Sequence, residues 1–156
     1  MTDTVAARLA ELGLTLPKAA APVAAYVPTV EAGGLLHVSG QLPFVDGALV
    51  TGRLGEDVTL EQGVAAAQAC ALMILAQVQA ALGGSLDRVA RIVKLGAFVN
   101  STGTFTDQPK VANGASELMV AVFGDAGRHA RSAVGVPVLP LGAAVEIDAI
   151  VALHPA

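Results

Sequence analysis

The chain has 156 residues, 54% apolar, 14% charged and 3% aromatic, with nine Lys and Arg against thirteen Asp and Glu for a net charge of −4. That length suits one domain burying roughly 70% of its unfolded surface, and an acidic balance with no basic run excludes the electrostatic footprint of a phosphate-backbone binder, so no nucleic-acid partner is expected. So few charges leave little to cover a free surface, which points to self-association; the single Cys70 has no disulfide partner, and without a secretory signal the expected location is the cytoplasm.

Taken in chain order, Thr2-Asp3 can cap a short helix towards Leu12 that Gly13 stops, so residues 1–16 are expected to form a helical appendage ahead of a single domain, 17–156. Pro17 to Pro28 is Ala/Pro-rich and reads as an extended connector. Leu35-Leu-His-Val-Ser39 then begins a strand in which His37 is expected in the core and Gly40 permits close backbone approach. Asp46-Gly47 between Phe44-Val45 and Ala48-Leu-Val50 is a hairpin signal.

Thr59-Leu-Glu-Gln62 has the form of a capping box and opens a long helix that ends at Gly83-Gly84. Gln62 to Leu86 carries no formal charge and is long enough to cross a bilayer. Four glutamines and a preponderance of Ala over Leu argue instead for a buried core helix, so no membrane partner is expected. Leu72 and Leu75 fall near its polar stripe, which suggests burial on more than one side and a surface for contact between copies. Val89 to Asn100 reads as a buried strand, Asp107 and Pro109 start a second helix ending near Gly124, and two strands close the chain around Arg131–Leu139 and Val145–Val151. The order, roughly ββαβαββ, predicts an α+β fold, a mixed sheet with helices on one face.

Chemistry-bearing residues are few. The three His lack metal-site spacing and have no Cys partner, and no Gly-rich phosphate loop follows a strand, so neither metal nor cofactor is expected. Arg131 stands among small and apolar residues, where a guanidinium needs an anionic partner, and its planar fork suits a carboxylate. A structural ion pair with Glu146 and a site that grips a small carboxylate beside a directed water are both open readings of that pair. His129, two residues before Arg131, can share its strand face.

The stretch His129-Ala-Arg131-Ser-Ala-Val-Gly-Val-Pro-Val-Leu-Pro140-Leu-Gly-Ala-Ala-Val-Glu146-Ile-Asp148 closely resembles the signature of the reactive intermediate deaminase family, the RidA/YjgF-like proteins also labelled endoribonuclease L-PSP. The likeness extends upstream through Tyr26-Val27, Leu36-His-Val-Ser39-Gly40-Gln41 and Asn113, about 130 residues in all, with a longer N-terminus than usual. The resemblance implies a chorismate mutase-like α+β subunit with two main helices, a homotrimer with sites between subunits, and cofactor-free hydrolysis of small 2-imino or enamino acids to 2-oxo acids and ammonia. It also implies roles for single residues. Arg131 would clamp the substrate carboxylate, Glu146 would activate water, Ser39, Gly40 and Ala133 would line the cleft, and Tyr26 and Asn113 would shape the pocket; His129, beside Arg131 on its strand face, is a further candidate substrate contact. Ala133 stands where the family usually has Cys, and Gly135 where a charged residue is more common. A non-catalytic 2-oxo acid binder and, behind it, a ribonuclease are the rival readings.

Overall fold

The computed structural model describes residues 4–22 and 24–156, so the Thr2-Asp3 cap lies outside the described residues. Helix α1 (Thr4–Glu11) and an extended connector lead into strands β1 (Thr29–Ala32) and β2 (Leu35–Gln41), which turn at Gly33-Gly34. The hairpin of β3 (Phe44–Val45) and β4 (Ala48–Leu49) turns at Asp46-Gly47, where φ is 51° and 80°, the left-handed pair that a two-residue hairpin loop requires. Helix α2 (Leu60–Ala81) opens on the expected capping box: Gln62 N–H donates to Thr59 Oγ1 at 3.1 Å while Thr59 N–H donates to Gln62 Oε1 at 2.8 Å. Strand β5 (Val89–Asn100), helix α3 (Gln108–Phe123), β6 (Ala130–Val136) and β7 (Val145–Leu153) complete the chain.

The five-stranded sheet runs β1-β2-β7-β5-β6, antiparallel except for β5 and β6, which are parallel because α3 carries the chain back across. Period-two alternation then sorts every residue to a face. Leu36 and Val38 of β2, Leu95, Ala97 and Val99 of β5, and Val145, Ile147, Ala149 and Val151 of β7 turn to one side and are buried. There α2 and α3 cover them, with twelve of the 22 residues of α2 buried. Its length and hydropathy match a membrane span, but that apolar surface is spent on the core. The helices cross where Gly114 of α3 lies directly on the Val64 carbonyl of α2, a contact that leaves no room for a Cβ.

Among the described residues no helix lies on the other face of the sheet. His37 and Lys94 are exposed there, with Phe98, Asp148 and Ile150 half-buried around a recess of about 320 Å³. This corrects the core placement of His37: its neighbours Leu36 and Val38 take the buried face, so alternation sends the imidazole out.

The expectation of an N-terminal appendage also changes. Helix α1 packs on α3, with Leu9 only 6% exposed and part of the main core and Arg8 Nε donating to Ala121 O at 2.8 Å. The connector then straps α2, held where Gln77 Nε2 donates to Ala20 O at 2.7 Å and to Gln41 Oε1 at 3.2 Å. Leu75 is fully buried, which bears out burial of α2 on more than one side, and Leu72 lines a groove under this strap.

Candidate functional site

Arg131 owes its position to β6. Its register partner on β5 is the core residue Leu95, so the guanidinium side chain turns towards the helix layer, as does Ala133 opposite Ala97. Above it α3 presents Asn113 and Ser116, three apart and on one helix face. Arg131 Nη1 donates to Asn113 Oδ1 at 2.9 Å and to Ser116 Oγ at 3.1 Å. Both Nη1 protons are thereby used, leaving Nε and Nη2 without a protein acceptor among the described residues. No carboxylate lies within 4.0 Å of the guanidinium among those residues, so the structural ion pair with Glu146 is not formed.

His129 sits just before β6, on the same side. Its Nδ1 is 2.6 Å from the Gly127 carbonyl, which can only accept, so the neutral ring carries its proton on Nδ1 and Nε2 accepts from Ser116 Oγ at 2.8 Å. Both ring nitrogens are therefore engaged by protein, and the imidazole reaches Arg131 through Ser116.

Glu146 lies on the other side of the sheet. It pairs with Phe98, three residues from Leu95, so its side chain leaves by the uncovered face. The carboxyl rests against Gly40, where the β2–β7 register shifts, and a Cβ at Gly40 would lie 2.9 Å from Glu146 Cδ. Close approach was the reading of this glycine, and the group that approaches is the carboxyl. Ser39 Oγ donates to Val27 O at 2.9 Å, tying down the connector that carries Tyr26, and Tyr26 and Gly40 border one small recess with Leu141. Burial first, and the neighbouring Asp148 second, hold the Glu146 carboxyl above the ordinary glutamate range. Asp148 is itself raised by burial, an effect opposed by the Gly96 backbone and by Lys94.

The predicted site residues thus assemble as two halves. Arg131, Ala133, Asn113 and His129 form one, on the helix side; Glu146 and Gly40 meet on the open face, with Ser39 next to them in β2 and Tyr26 across a recess that Gly40 also borders. Strand parity places these two groups on opposite faces of the sheet within one chain. Among the described residues no group of three or more His, Cys, Asp or Glu is placed to hold a metal ion.

Residues 6–152 match the YjgF/chorismate mutase-like family model, whose description also carries the endoribonuclease label. The chain belongs to the YjgF/chorismate mutase-like family. Protein TCP17 of Trypanosoma cruzi is 59% identical over 152 residues, 96% of this chain and 94% of that one. Among solved structures, the Agrobacterium tumefaciens protein Atu1372 superposes with a TM-score of 0.91 at 51% identity, covering 97% of this chain and 94% of that one. RidA from an Antarctic Psychrobacter gives a TM-score of 0.60 at 32% identity, over 87% and 94% of the two chains.

One departure from the usual YjgF-family signature has a local cause. At Gly135 a Cβ would meet Ser101 Oγ at 2.5 Å and Gln108 Nε2 at 2.7 Å, so a larger residue there needs those two side chains to shift. Two residues escaped the sequence reading. Ser116 is the one serine in an α-helix among the described residues, and its spacing of three from Asn113 puts both on one helix face, but only the strand beneath gives that face a partner. Asp148 follows Glu146 by two, so alternation alone places both on the same sheet face.

Proposed function

We propose that the protein is a cofactor-free hydrolytic deaminase of small 2-imino or enamino acids, acting as a homotrimer in which Arg131 of one copy and Glu146 of the next meet across a cleft. The observation that carries this reading is the half-buried guanidinium of Arg131, held on Nη1 by neutral acceptors and offering its Nε–Nη2 edge with no carboxylate of its own. Two parallel donors fit a carboxylate bidentately. The uncovered sheet face, with Phe98 and Ile150 half-buried and Val134 exposed, supports a second copy as the source of the missing half.

Water adds to C2 of the bound imine as Glu146 accepts one of its protons. Glu146 passes that proton to the imine nitrogen, completing a neutral carbinolamine; it then takes the hydroxyl proton as the C=O bond forms and delivers it to the amino nitrogen as the C–N bond breaks, and ammonia and the 2-oxo acid leave. A carboxyl held above its ordinary pKa is a better proton donor near neutrality for the second half of this sequence, and its ionised form is a stronger base for the first. Since the imine carbon is already electrophilic, positioning supplies most of the acceleration. A 2-oxo acid binder would need the same arginine but gains nothing from a nearby acid, and the net charge of −4 speaks against ribonuclease action.

The test uses 2-iminopropionate and 2-aminoacrylate generated in situ, with ammonia release followed against the spontaneous rate. Arg131→Ala and Glu146→Gln should each lose activity. Mixing equal amounts under subunit exchange should restore about a quarter of the sites, because one cleft then joins an intact arginine to an intact acid. No acceleration by the parent would leave a carboxylate-binding protein, and an active parent whose mixed variants stay inactive would refute the shared cleft.

A further inference from the structure

We infer that Ser116 and His129 are positioning residues that dedicate Nη1 of Arg131 to the protein, so that a ligand anion is met by its Nε–Nη2 edge alone. The inference deepens the carboxylate-clamp reading and rests on it for the ligand, while the network belongs to the free chain. Hydrogen direction runs one way through it. The Gly127 carbonyl accepts from His129 Nδ1 at 2.6 Å, His129 Nε2 accepts from Ser116 Oγ at 2.8 Å, and the hydroxyl, its proton committed, turns a lone pair to Arg131 Nη1 at 3.1 Å. Asn113 Oδ1 takes the other Nη1 proton at 2.9 Å.

Two acceptors on one terminal nitrogen define the guanidinium plane, because both N–H bonds lie in it. An arginine so held loses less rotamer freedom when an anion arrives, which is how preorganisation strengthens binding. It is also selective: the end-on Nη1–Nη2 edge is unavailable, so a planar carboxylate is favoured in one orientation. The imidazole contributes by locking the Ser116 proton. Without it the hydroxyl is free to point its own proton at Arg131, donor against donor.

Three measurements test this. In the free protein, imidazole 15N spectroscopy should show His129 as the Nδ1–H tautomer with Nε2 accepting. Calorimetry with pyruvate should show Ser116→Ala binding about tenfold more weakly or worse, the loss expected for one hydrogen bond to a charged group. Ser116→Thr, which restores the hydroxyl, should recover most of the affinity, a rescue that a packing role would not give. An Nε2–H tautomer, or pyruvate binding by folded Ser116→Ala equal to the parent's, would overturn the inference. Should the parent bind no 2-oxo acid, the carboxylate-clamp reading fails, and the network is then judged on Arg131 itself. Rotation about Cζ–Nη1 should be slow in the parent and fast in Ser116→Ala, and equal rates in the two would sink it.

Discussion

Two acids on alternate positions of β7 set the electrostatics of the open face. Glu146 keeps its proton more readily than an ordinary glutamate, chiefly through burial and then through Asp148. Asp148→Asn should remove the second cause and leave the first, so the limb of the pH–rate profile that reports ionised Glu146 should move towards acid without reaching the ordinary range; an unmoved limb would mean the two carboxyls do not interact. The same shifts have a stability consequence of definite sign. Both acids are raised on folding, so between the unfolded and the folded pKa the folded chain binds more protons than the unfolded one. Their penalty is absent below the ordinary carboxylate range and grows as pH rises through the raised values. Glu146→Gln should therefore melt above the parent at neutral pH, with the gap closing on acidification, and thermal scans across that range would show it. Arg131, Glu146 and Gly40 were legible because their surroundings form a specific pattern. Ser116 was not, because a serine in mid-helix acquires meaning only from the strand beneath it.

Elements with local chemistry were readable before the fold was. The capping box at Thr59, the Asp46-Gly47 turn and the full length of β5 followed from residue types a few positions apart. Thr59→Ala should cost about 1 kcal/mol, or a melting temperature lower by about 2–4 °C, measured by calorimetry. No change would mean the capping hydrogen bonds hold nothing. Strand β1 went unread for the opposite reason. Its four residues are exposed or half-buried with no alternation to mark a face, and only pairing with β2 makes them a strand. His37 was misplaced because an apolar run of four reads as uniformly buried when only every second residue is. Parallel pairing of β5 with β6 was likewise beyond composition, yet it decides which way Arg131 faces.

At the scale of the molecule, a sheet covered on one face and bare on the other suits the proposed trimer. Light scattering at micromolar concentration should give three times the 15.6 kDa chain mass, and a stable monomer would remove the shared cleft. The class of fold and the family pattern were legible in the sequence, but the division of the site was not, because a motif records which residues are present and not the face each takes. Under the proposed function, that division makes the reaction depend on encounter. A solitary chain carries both the grip and the base yet can bring neither to the other's substrate, so turnover per chain should collapse on dilution past the point where copies separate. A newly synthesised chain would stay silent until it finds its neighbours.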